Sequence, residues 1–140
     1  MGDKVSSANI DVVRKLYAAY EKRELDVILS VATEETIVEQ STGLPWSGRH
    51  TGPDGFLAFL GILSSHIDTQ LEIDDIYDAG AGAVIEVGHT KGHVLVTGNE
   101  FRAREIHRWQ FREDGKLASF TVWVDVPAMQ AALAGEPANS

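Results

Sequence analysis

A chain of 140 residues with 44% hydrophobic and 24% charged side chains fits one globular domain with one core over residues 1–140. Its 12 Lys and Arg against 21 Asp and Glu give a net charge of −9, and the only basic cluster is Arg102, Arg104, Arg108 and Arg112, which argues against a nucleic-acid partner. The absence of cysteine excludes disulfides, thiolate nucleophiles and cysteine-based zinc sites, and fits a cytoplasmic, reducing setting. No apolar run approaches the roughly 20 residues that span a bilayer. The opening MGDKVSSANIDVVRK has no apolar signal core, so neither membrane insertion nor secretion is expected.

In chain order, NIDVVRKLYAAYEK (9–22) puts Ile10, Val13, Leu16, Tyr17 and Tyr20 at helical spacing, with Ser7 or Asn9 as candidate caps. ELDVILSVAT (24–33) predicts a shorter second helix, and TIVEQS (36–41) a strand. STGLPWSGRHTG (41–52), dense in Gly, Pro and Ser, reads as a loop, after which Pro53 opens a third helix over 53–66. The stretches 70–78, 83–96, 100–112 and 116–126 are rich in β-branched and aromatic residues and are separated by AGAG, TGN and EDG. Short turns between consecutive long strands predict an antiparallel, curved meander. VPAMQAALAG ends the ordered chain as a short helix, and residues 1–7 and 135–140 are expected to be flexible. The result is an α+β cone: three N-terminal helices in the concave face of a strongly curved antiparallel or mixed sheet, leaving an apolar pocket where closure is incomplete.

Two segments carry a family resemblance. VVRKLYAAYEKRELDVILSVATEETIVEQ resembles the opening helices and first strand of the nuclear transport factor 2-like superfamily, which includes ketosteroid isomerase, limonene epoxide hydrolase and SnoaL-like polyketide cyclases. GHTKGHVLVTGNEFRAREIHRWQFREDGKLASFTVWVD is similar to the SnoaL-like pattern, ending in its F-x-x-D-G-K hairpin. Together the two extend over most of residues 9–126. The resemblance implies the cone fold, but its catalytic positions carry other residues here. The isomerase's base falls at Gln40, which cannot accept a proton near neutral pH. Its oxyanion tyrosine falls at Leu16, with Tyr17 one residue away, and its protonated Asp falls at His107. The hydrolase and cyclase aspartate, three before Asp125, falls at Val122. Asp125 itself is expected at the strand end, on the face opposite Val122.

Along 101–111, one face reads Phe101, Ala103, Glu105, His107, Trp109, Phe111 and the other carries the arginines. The aromatic face is the buried one, and the resemblance places it toward the pocket. Glu105 and His107 are then polar groups in an apolar wall, roughly 6.6 Å apart by strand spacing, within reach of a water bridge or coupled titration. His107 reads either as a general acid or base tuned by Glu105, or as a buried imidazole hydrogen-bonded to a neighbour such as Gln40. His89 and His93 would lie about 13 Å apart on a strand, too far to share an ion, and no metal or cofactor is expected. His50 reads as a loop residue and His66 as a helix-end residue. Tyr17, Tyr20, Phe56, Phe59 and Trp109 read as core or as pocket lining, and Trp46, in its Gly- and Pro-rich loop, as a lid at the mouth.

The expectation is a protein that binds a small hydrophobic or aromatic molecule, with polar contacts from His107, Glu105 and Gln40 and apolar contacts that include Val122. The alternative is an acid–base isomerase, cyclase or hydrolase using His107. A third possibility, a protein-interaction module, would have a collapsed pocket. Thr121 and Trp123 should project from the convex sheet face, which suits a homodimer.

Overall fold

The computed structural model describes the backbone of residues 2–135 and the side chains of residues 8–135. The expectations placed on Met1 and residues 136–140 lie outside the described residues. Helices α1 (Gly2–Glu21), α2 (Leu25–Leu29) and α3 (Gly52–His66) precede the long strands, with β1 (Ala32–Gln40) and β2 (Gly48–Thr51) between α2 and α3. Strands β3 (Ile67–Gly80), β4 (Ala83–Val94), β5 (Glu100–Phe111) and β6 (Leu117–Val124) follow, and α4 (Val126–Leu133) ends the described chain. The six strands form one curved, unclosed sheet in the order β2-β1-β6-β5-β4-β3, so the fold is the α+β cone expected.

The meander β3 to β6 is antiparallel throughout, whereas β1 joins β6 in parallel. This makes the sheet mixed. Thr36 sits at the β1–β6 junction, completely buried. Its hydroxyl donates to the Leu117 carbonyl at 2.6 Å and accepts from the Thr33 amide at 2.8 Å. The fully buried Leu117 side chain fills the core beneath it.

Several boundaries differ from the sequence reading. Helix α1 starts at Gly2, so Ser7 and Asn9 lie within it rather than capping it. Helix α2 ends at Leu29 rather than residue 33, because the alternating residues from Ala32 pair with β6. The stretch read as a loop contains β2, whose four residues pair antiparallel with Ile37–Gln40. Four residues without apolar alternation give no strand signal; β1 supplies the edge that recruits them. His50 is therefore a half-buried strand residue, and His66 closes α3 with Nδ1 2.9 Å from the Ile62 carbonyl oxygen.

Helices α1 and α3 pack on the concave face. Val13, Leu16 and Tyr17 of α1 and Phe56 and Phe59 of α3 meet Val38, Trp109, Phe120 and Val122 of the sheet. Strand β5 alternates without exception: every odd residue from Phe101 to Phe111 is buried and its neighbours are not. On β6 the same alternation turns Trp123 outward at 42% exposure, but Thr121 is buried at 8%. It lies between Glu39 and Arg108 of the neighbouring strands, long side chains able to cover it, so it does not form part of an open convex patch. Asp125 leaves the sheet and caps α4, accepting from the Ala128 amide at 3.2 Å.

Candidate functional site

The concave face encloses a cavity of about 90 Å³, several times the 10–15 Å³ that one water needs, so the pocket is not collapsed. All ten side chains singled out from the sequence line it. Tyr17 and Tyr20 reach it from α1, Phe56 and Phe59 from α3, and Gln40 from the end of β1. Glu105, His107 and Trp109 line it from β5, and Val122 from β6. Trp46 lines it too, but at 2% exposure it is a buried wall against His66 rather than a lid. Leu16 and Met129 extend the apolar lining, and Thr69 and Thr90 contribute hydroxyls from β3 and β4.

Behind the polar wall lies a residue the sequence reading missed. Glu86 on β4 is directly opposite His107 on β5, with Gly88 opposite Glu105. Glu86 is fully buried and Glu105 is 2% exposed. His107 Nδ1 lies 3.2 Å from Glu86 Oε1, and His107 Nε2 lies 3.1 Å from Glu105 Oε2. The imidazole thus touches both carboxyl groups directly, where strand spacing alone suggested a gap bridged by water. Alternation within AVIEV puts Glu86 on the face of the buried Val84, which is the one signal the sequence carries for it; the β4–β5 register is what aims it at His107. A Cβ at Gly88 would collide with the Glu72 carbonyl oxygen and come within 2.9 Å of Glu86 Oε2. Glycine there admits both the Glu86 side chain and the bulge opposite, between Ile73 and Asp75.

Tyr17 anchors the cluster from α1. Its hydroxyl accepts from Trp109 Nε1 at 2.8 Å, donates to Glu86 Oε1 at 3.4 Å and lies 2.8 Å from His107 Nδ1. A phenol has one hydrogen and two lone pairs. With its hydrogen on Glu86, Tyr17 accepts from both Trp109 and His107 Nδ1; with its hydrogen on Nδ1, at the shorter distance, the His107 proton is on Nε2. The phenol therefore enters the cavity from Tyr17, one residue after the position the ungapped comparison assigned. Gln40 does not bond His107; its amide donates to Ser41 Oγ at 2.8 Å.

Burial dominates the electrostatics. Among the described residues no Lys or Arg pairs with either glutamate, and His107 is their one ion-pair neighbour. Desolvation, reinforced by the adjacent Glu86, raises the Glu105 carboxyl to about 10, and desolvation raises Glu86 to about 7. Burial lowers His107 to about 3, and burial followed by the field of Glu86 pushes the Tyr17 phenol well up. Near neutral pH the wall therefore presents a neutral carboxylic acid and a neutral imidazole, backed by a second carboxyl close to its midpoint. Acid and base forms thus coexist in contact, and proton transfer is chemically possible there.

His89 and His93, weighed above for metal binding, lie outside this cluster; His89 faces Asp74 at 3.7 Å and Arg102 at 3.4 Å. Among the described residues, the donors that converge are those of Glu86, Glu105 and His107, within 4.8 Å of one another.

Known proteins share this architecture. An NTF2-like protein from Burkholderia pseudomallei superposes with a TM-score of 0.82 at 22% identity, covering 89% of this chain and 96% of that one. TerC, co-crystallised with polyporic acid, superposes at 0.79 and 21% identity over 90% and 98% of the two chains. Bal32a, from a soil-derived mobile gene cassette, superposes at 0.82 and 15% identity over 91% and 98%. At these identities the likeness establishes the fold. No curated protein matches the chain in sequence. Residues 13–120 match the SnoaL-like domain family, and with the cone fold and its lined cavity the chain belongs to that family, within the NTF2-like superfamily.

Proposed function

We propose that the protein binds a small, mostly apolar molecule in this cavity, oriented by polar contacts from His107, Glu105 and Gln40. The observation that carries the reading is the composition of the walls. Aromatic and aliphatic side chains surround the space on nearly all sides, and polar groups gather at one wall. Two buried carboxyl groups without a Lys or Arg partner disfavour an anionic ligand, whereas a neutral Glu105 can donate a hydrogen bond to a carbonyl or hydroxyl oxygen. The co-crystallisation of TerC with polyporic acid supports the same use of this fold.

Calorimetric titration with a panel of small uncharged phenols and cyclic ketones tests the reading. Saturable binding at one molecule per chain is expected, weakened at least tenfold in Val122→Trp, which fills the cavity. Absence of binding across the panel, or equal binding by Val122→Trp, would remove the proposal.

A second reading, an acid–base isomerase, cyclase or hydrolase, has its own support in the contact of Glu86, Glu105 and His107. It supplies carboxyl groups although Gln40 and Val122 lack them. For a ligand found by titration, His107→Ala then abolishes its conversion while keeping its affinity within a few-fold. If wild-type protein leaves every bound molecule unchanged, binding alone remains.

We also propose that the chain forms a homodimer through the outer sheet face, where the cross-strand neighbours Ile106 and Trp123 are 39% and 42% exposed.

A further inference from the structure

We propose that Glu86, Glu105 and His107 form a binding site for one divalent transition-metal ion, held by Nε2 of His107 and a carboxylate oxygen from each glutamate. The unpaired atoms of the cluster lead to this. In the tautomer whose imidazole hydrogen points from Nδ1 to Tyr17, Nε2 of His107 holds a lone pair. Glu86 Oε2 and both oxygens of Glu105 are also buried without a hydrogen-bond partner. Although His107 Nε2 and Glu105 Oε2 are 3.1 Å apart, no hydrogen bond joins them. Four electron-pair donors thus converge in a buried spot, with at most the one proton of the Glu86–Glu105 pair among them.

Such an arrangement needs a cation, because burying lone pairs and negative charge without a partner costs several kcal/mol. A proton on Glu105 is the competing occupant, and it pairs two of the four atoms at most. A metal ion takes one nitrogen and an oxygen from each carboxylate together. Metal–ligand bonds of about 2.0–2.2 Å place neighbouring donors roughly 2.8–3.6 Å apart, from octahedral to tetrahedral geometry, a range that includes the 3.1 Å seen between His107 and Glu105. All three donor atoms lie within 4.8 Å of one another, a spread that carboxylate rotation can narrow. Imidazole with two carboxylates suits Mn²⁺, Fe²⁺, Co²⁺ or Zn²⁺ better than Mg²⁺ or Ca²⁺. Tyr17 supplies the outer support such sites use, accepting the second ring N–H of the ligating histidine and donating to Glu86. Glu105 and His107 line the cavity, so the remaining coordination positions open toward whatever occupies it. The site does not depend on the ligand reading above.

Chelator-stripped protein is titrated with Co²⁺ and Mn²⁺ by calorimetry. One ion per chain is expected, with affinity falling at least tenfold in Glu86→Gln and in Glu105→Gln. A His89→Ala/His93→Ala double variant, which removes two histidines outside the cluster, should bind as wild type does. A readout that needs no variant is the indole N–H spectrum of the wild-type protein. Bound Mn²⁺ should broaden the Trp109 signal more strongly than that of Trp123, which points to the outer face. The proposal is overturned by no saturable binding, by binding that survives both glutamine substitutions, by loss of binding in the double histidine variant, or by a Trp109 signal that Mn²⁺ leaves unchanged.

Discussion

Glu105 carries a strong pH signature in the site. Its carboxyl is raised to about 10 in the folded chain, chiefly by burial, against an ordinary 4.5. The stability it contributes is therefore fully present below about pH 4.5 and is lost as pH rises toward 10. His107 runs the other way: lowered to about 3 from 6.5, it contributes stability above about pH 6.5 that is lost as pH falls toward 3. Comparing wild type with Glu105→Gln removes this carboxyl, together with its coupling to Glu86, while His107 is common to both. With chelator present, the glutamine variant should gain on wild type between pH 5 and 9, by at most about 1.4 kcal/mol per pH unit. Urea denaturation at several pH values measures this; parallel curves would show that Glu105 titrates normally. From the sequence, β5 alternation and one resemblance were enough to place His107 and Glu105 in the pocket wall. Glu86 was not recovered, because it acts through register with β5, and AVIEV does not state which strand it faces or at what offset.

At the scale of elements, the parallel β1–β6 junction is the contact that converts a meander into a cone, and Thr36 secures it. Thr36→Val keeps the shape but leaves the Leu117 carbonyl and the Thr33 amide without their buried partner. A loss of about 1–3 kcal/mol is expected, read as a lower denaturation midpoint with an unchanged slope. A variant as stable as wild type would show that the junction holds through backbone pairing alone. The long strands were legible from composition and turn residues, because their signals are local. The end of α2 and the existence of β2 were not, because both are decided by pairing with residues far away in sequence.

For the whole molecule, curvature decides which surfaces are available. The concave face is filled by helices around the cavity, and the outer face leaves Trp123 exposed with Arg108 stacked over it at 5.8 Å. If that face is a dimer contact, Trp123→Lys should convert a dimer to a monomer in light scattering while the fold, by circular dichroism, is retained. A wild-type protein that is monomeric at high concentration, or a Trp123→Lys dimer, removes the proposal. Among the described residues, no helix is long and apolar enough to cross a membrane.

The amino-acid sequence by itself determined the class of fold and the apolar lining, because helical spacing, strand alternation and turn glycines are local patterns written in consecutive residues. It also determined that His107 and Glu105 share the face that becomes the pocket wall. Only the tertiary structure decided that Tyr17, Glu86, Glu105 and His107 touch. Their contact depends on the β4–β5 register, on the space left by Gly88 and on the angle at which α1 crosses the sheet. Those three quantities are set by packing between distant segments, and packing made a buried acid–imidazole cluster out of residues that look unrelated along the chain.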